Sequence, residues 1–283
     1  VRGKPDTVRG SMQGTYVLTA KGKLLGRRNS ANPDTILAML NDALAKWREL
    51  PADERAAPTK QLRSTHRWED SYPEGGLILE RFARDIGKDP QQPQQKPVNR
   101  DAVWFELGEA EGWLPEFEVG KRMAVTERIV DRMARVVFVD NVRGQTLPFA
   151  RVELHGCKMH SEVVAVRDNL VDIQITGNTS ASAKGPWLNG DNYWKPKREW
   201  PRTMQTSIFG HATYDRGTRR FTKFELVATG TRTGRTAFNG RSKEEPQSTH
   251  GIGFLLRLAK PSYRVAPTFV NMYGAKWVVP PPK

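Results

Sequence analysis

Between Met204 and Arg232 the chain alternates with a period of two on both sides of a polar turn. Ile208, Gly210, Ala212 and Tyr214 alternate with Ser207, Phe209, His211 and Thr213, and Phe221, Lys223, Glu225 and Val227 alternate with Thr222, Phe224, Leu226 and Ala228. A period of two is that of a strand with two distinct faces. Asp215-Arg216-Gly217-Thr218 supplies the turn, since Asp bonds its own backbone and Gly tolerates positive φ. The same reading places strands at 76–84, 134–139, 150–155, 162–166, 170–176 and 252–259, with Arg167-Asp168-Asn169 turning a second hairpin. The period changes to that of a helix in two places. After Asn32-Pro33, an N-cap and a first-turn proline, Ile36, Leu37, Leu40, Leu44 and Trp47 recur at helical spacing until Pro51. At 126–133, Thr126 caps a helix with Ile129, Val130 and Met133 on one face.

These elements predict an α+β chain. A small β-hairpin–helix unit (1–50) comes first, then a linker (51–75, charged and proline-punctuated), then a larger antiparallel β domain (76–283) built as a sandwich or open barrel. Long polar loops interrupt that domain: the low-complexity run 88–97, the aromatic insertion 185–201 and the Gly/Ser-rich stretch 233–250.

The first unit carries a resemblance. Gly14-Thr15-Tyr16-Val17-Leu18-Thr19-Ala20-Lys21-Gly22-Lys23-Leu24-Leu25-Gly26 followed by a helix resembles the closing hairpin and last helix of the thioredoxin-like fold, as in secreted planctomycete-type proteins with a β-rich extension. The resemblance covers about residues 12–50. It departs from the family in having Gln13-Gly14 where thioredoxins place a cis-proline, and in lacking a Cys-x-x-Cys. It implies a secreted or periplasmic bacterial protein and by itself no activity. One cysteine, Cys157, neither forms an intrachain disulfide nor cycles as a dithiol pair.

Charge narrows the partners. With 45 Lys and Arg against 31 Asp and Glu, the formal net charge is +14, which favours anionic polymers, nucleic acid or an anionic surface. No block of like charges and no recognition motif points to nucleic acid in particular. No apolar run reaches the roughly 18–20 residues of a spanning helix. The chain starts at Val1 rather than Met, with no signal peptide in view, which reads as a processed or trimmed start.

Two constellations carry chemistry. Trp187, Tyr193, Trp194 and Trp200 are interleaved with Lys195, Lys197 and Arg198, a combination that stacks on sugar rings and attracts anionic polymers. His155, Cys157, Met159 and His160 offer imidazole, thiol and thioether in a short span, a donor set suited to copper. No nucleophile elbow, phosphate loop or His-Glu-x-x-His is found, and Glu244/Glu245 and Glu116/Glu118 read as solvated charge. The sequence therefore predicts a non-enzymatic binding or structural protein of the bacterial envelope or extracellular space. It would contact an anionic or sugar-bearing partner or a copy of itself. The alternatives are a copper-binding or redox accessory protein using 155–160 and a hydrolase with a site in a β-domain cleft.

Overall fold

The computed structural model describes residues 14–57, 67–87, 98–185, 199–236, 239–245 and 247–278. The chain divides into two compact units, 1–65 and 66–283, with the boundary inside the predicted linker. In the first unit, β1 (Thr15–Leu18) pairs antiparallel with β2 (Leu24–Arg28), and α1 (Pro33–Glu49) follows. The Asn32 side chain accepts a bond from the Thr35 amide and caps α1 as its residue type predicts. Met39 and Ala43 are buried, and Gly26 of β2 lies so close that an added Cβ would meet the Met39 sulfur at 2.9 Å. Leu37, Leu40, Leu44 and Trp47 form an adjacent stripe that stays exposed. A short helix, α2 (Ala52–Arg55), closes the unit.

The second unit is built on one eight-stranded antiparallel sheet. Its strands are β3 (Leu77–Ile86), β4 (Val98–Phe105), β5 (Arg122–Ala124), β6 (Lys158–Arg167), β7 (Leu170–Gly185), β8 (Trp200–Asp215), β9 (Arg220–Gly234) and β10 (Thr249–Leu258). They are ordered β4-β3-β10-β9-β8-β7-β6-β5. β8 and β9 form the predicted hairpin, and Asp215 Oδ1 accepts the amides of Gly217 and Thr218. Positive φ falls not on Gly217 but on Arg219, at 53°. The alternation expected for β9 is also corrected. A bulge between Thr213 and Tyr214 shifts the register, so Phe221, Phe224, Leu226 and Ala228 point inward, and Lys223 does not share a face with Phe221.

The inner face packs on a helical segment. α3 (Leu107–Ala110) leads to α4 (Glu127–Arg132), which continues as a π-helical turn over Met133–Val137. The strand expected at 134–139 is therefore helical at 134–137, and the strand expected at 150–155 is a 3₁₀ turn at Arg151–Glu153. A mostly apolar run such as ARVVFV has no period that separates strand from buried helix. Burial decides it: Ile129, Met133, Phe138 and Val139 are fully enclosed. The carbonyls that a helix end leaves without partners are met by an arginine of the sheet. Arg81 donates from Nε to Val137 O at 2.7 Å and from Nη2 to Val139 O at 3.0 Å. Arg202 likewise holds two loop carbonyls, Leu147 O and Pro148 O. Burial pushes both guanidinium groups down to about 10, still charged at neutral pH.

Both faces of the β3–β4 end are covered. Trp104 packs edge-on to Tyr72 and tilted against Trp277. The edge strand β4 is occupied as well. The Tyr273 hydroxyl accepts the Trp104 amide at 3.3 Å, and Arg132 donates to the Trp104 carbonyl at 2.7 Å. This removes an exposed edge that would template strand addition.

Candidate binding surface

The outer face of β7, β8 and β9 differs from the rest of the sheet. The pairing sets outward residues in rows across the strands. One row runs Phe82, Leu255, Val227, Phe209, Thr176, His160. The next runs Arg84, Gly253, Thr229, Ser207, Asn178, Lys158, followed by Thr231, Gln205, Ser180 and then Thr233, Thr203, Ser182. Within β7–β9 these four rows hold no charged side chain. They measure about 20 Å along the strands and about 10 Å across, from ordinary strand spacings. Long strands make this platform possible, since β7 and β8 each run 16 residues and β9 runs 15.

Phe209 stands at one end of the platform with half its surface exposed. Its ring meets His211 edge-to-face at 4.9 Å. Thr203 and Thr233 bond each other, Ser182 bonds His155, and Asn178 donates to Gly156 O. The side chains of Thr176, Gln205, Ser207, Thr229 and Thr231 make no hydrogen bond among the described residues. Arg84 and Lys158 flank the second row as exposed cations. The result is an aromatic ring beside open hydroxyls and an amide, with positive charge at the margins. A sugar ring offers the complementary features, an apolar face and a rim of hydroxyls.

The residues singled out by sequence are distributed as follows. Trp187, Tyr193, Trp194, Lys195, Lys197 and Arg198 lie outside the described residues. Trp200 begins β8, and its ring carries the Arg235 guanidinium at 3.7 Å. In the 155–160 cluster, Met159 is buried in the inner core while His160 faces outward, because neighbours on a strand point to opposite faces. His155 is exposed and its Nε2 lies 2.6 Å from Ser182 Oγ. Cys157 is half-buried against Ser180, whose amide and carbonyl both lie 3.3 Å from Sγ. Among the described residues no group of three or more His, Cys, Asp or Glu is placed to hold a metal ion. No helix among them is long and apolar enough to cross a membrane.

Sequence reading missed two features. Phe209 appears in it only as one member of the polar alternation, yet an aromatic residue on the polar side of a strand is itself the signal. The second is a buried network of charge. Arg241, with no exposed side-chain surface, donates to Asp140 at 2.7 and 3.0 Å and to Asp85 at 2.7 and 2.8 Å. Arg232 grips Glu244 with two parallel bonds of 2.7 and 2.8 Å, and Arg143 reaches Asp85 at 2.9 Å. Glu244, expected as solvated charge, is mostly enclosed here. Burial works against charge on Arg241, but its hydrogen bonds to Asp85 and Asp140 outweigh that and hold its proton more tightly than usual. Burial likewise opposes charge on Asp85 and Glu244, and the adjoining arginines reverse the balance, so both carboxyls sit below their ordinary values. Three guanidinium groups against three carboxylates leave no net charge. His250 Nε2 lies 2.6 Å from Ser248 Oγ and 3.5 Å from Glu244. Both partners meet the same ring nitrogen, whereas a nucleophilic relay needs the carboxylate on the other one.

Comparison with known proteins finds no family model, no curated protein and no solved structure that matches this chain.

Proposed function

We propose that this protein is a non-enzymatic binding protein that holds an anionic, sugar-bearing polymer against the outer face of β7–β9. The observation that carries the reading is the uncharged platform: five side chains with open hydrogen-bonding capacity beside the half-exposed ring of Phe209. The ring stacks on a sugar face, and the hydroxyls and amide of Thr176, Gln205, Ser207, Thr229 and Thr231 bond its rim. Arg84, Lys158 and the net charge of +14 supply long-range attraction to acidic groups. Such polymers belong to cell envelopes and their surroundings, so an envelope or extracellular setting is part of the proposal.

Support also comes from what occupies the inner face. Helix α4, the π turn and the arginines bonded to the following loop fill the side of the sheet where a ligand-carrying barrel keeps its cavity. Of the buried acids, Glu80, Glu109, Asp140 and Glu244 are each matched by an arginine, and Asp101 accepts the amides of Ala102 and Thr268.

The test is retention on gels containing an acidic polysaccharide, a neutral polysaccharide of matched backbone, or none, over a range of salt. The reading expects retention by the acidic polymer that weakens with salt and persists in part at high salt through the uncharged contacts. Equal mobility in all three gels would refute it.

A further inference from the structure

At the turn end of the β8–β9 hairpin, away from the polar platform, the second unit has a small cleft of about 60 Å³. Its floor is apolar: Leu77, Leu107, Ala110, Phe221 and Leu258. Its rim is charged, with Arg219, Arg220 and Glu111 around the Tyr214 ring. We infer that this cleft binds a short aliphatic carboxylate, its hydrocarbon on the floor and its carboxylate on Arg220.

Four observations converge on this. The first is the state of the two arginines. Arg219 donates to Glu111 at 2.5 Å, so those two charges cancel. Arg220 makes no side-chain hydrogen bond or ion pair among the described residues, and the rim keeps one uncompensated positive charge. Asp215, opposite Arg220 in the strand pairing, directs its Oδ1 to the amides of Gly217 and Thr218 instead.

The second observation is backbone strain. Arg219 holds φ at 53°, a region that disfavours side chains with a Cβ, and only one other described non-glycine residue, Asp168, does so. Strain of this kind is retained where the surroundings require the conformation. Here it follows the turn and places Arg219 over Glu111, which fixes one wall of the cleft.

The third is the glycine pair at the opposite wall. Gly75 has φ of 76°, and the Arg220 Nη2 lies 3.5 Å from where its Cβ would be. A Cβ on Gly76 would fall 2.1 Å from the Phe105 carbonyl oxygen. Neither position takes a side chain, so this wall is bare backbone beneath the free guanidinium.

The fourth is size. One water position needs about 10–15 Å³ of such volume, so the cleft holds roughly four or five heavy atoms. That matches the four-carbon hydrocarbon part of 3-methylbutanoate or the isopropyl side chain of a chain-terminal valine, with the carboxylate at the rim. It is far below the volume of drug-sized ligands.

The experiment is calorimetric titration of the full chain with 3-methylbutanoate, with 3-methylbutanol as the uncharged analogue, and with a tripeptide ending in valine. Saturable binding of the acid, at least about tenfold tighter than the alcohol, is expected from a charge-assisted hydrogen bond. Arg220→Gln is exposed at the rim and should melt like the parent while binding the acid about tenfold more weakly. Leu107→Ala, also at an exposed position, should weaken acid and alcohol alike by a few-fold. If the tripeptide binds more tightly than the free acid, the source is a protein C-terminus; if the free acid binds more tightly, it is a metabolite. No saturable heat with acid or tripeptide up to tens of millimolar, or equal affinity in Arg220→Gln, would overturn the inference.

Discussion

Arg241 is enclosed on all sides, yet it keeps its proton because two aspartates reach it with four bonds. Such a pair contributes little net stability over a well-packed apolar replacement, but removing one partner leaves an unmatched charge. Asp85→Asn should therefore lower the free energy of unfolding by about 3–5 kcal/mol, read from urea denaturation at neutral pH. Glycine positions make a separate prediction about backbone approach. A Cβ on Gly230 would lie 1.8 Å from the Gln205 carbonyl oxygen across β8 and β9. The neighbour is backbone in a central strand pair and has no rotamer to escape into. Gly230→Ala should cost about 3 kcal/mol, the upper range for overpacking, whereas Gly108→Ala, with open space around it, should cost almost nothing.

At the scale of elements, legibility followed the contrast between faces. The β8–β9 hairpin was legible because Ile208, Ala212, Leu226 and Ala228 alternate with polar neighbours, and the structure buries those residues. The phase of β9 was not legible near its start, because the bulge at Thr213/Tyr214 arises in pairing and leaves no mark in composition. Residues 134–137 failed for the opposite reason: Ala134, Val136 and Val137 are all buried, and the single polar position, Arg135, is too little to show a period. The partners of the inward charges are set by the fold alone: Arg81 meets the carbonyls of Val137 and Val139, and Asp85 meets Arg143 and Arg241. Helix α1 shows the converse, with more apolar surface than its hairpin covers. Met39→Ala should destabilise the first unit by about 2 kcal/mol or more. Leu40→Gln and Leu44→Gln, at positions more than two-fifths exposed, should change it by under about 0.5 kcal/mol in the same melting measurement.

Across the whole molecule, acid should act through the buried network. Asp85 and Glu244 have ordinary values of 3.8 and 4.5, and both are lowered in the folded state. A lowered carboxyl contributes stability that is present above its unfolded value and is lost as pH falls through the folded one. Stability should thus be flat from neutral pH to about 5 and drop below about 4, with a shallower drop in Asp85→Asn. The molecule as a whole assigns its polar chemistry unevenly. Charge inside is met by carboxylates or by backbone carbonyls, and hydrogen-bonding capacity outside is left open beside one ring. The measurement that tests this division most directly is the affinity of Phe209→Ala for an acidic polysaccharide, compared with the parent protein at the same salt. Phe209 is half exposed, so the variant should keep its melting temperature. The platform account predicts a loss of affinity of about tenfold, the stacking contribution of one ring. Unchanged affinity in a folded variant would contradict it.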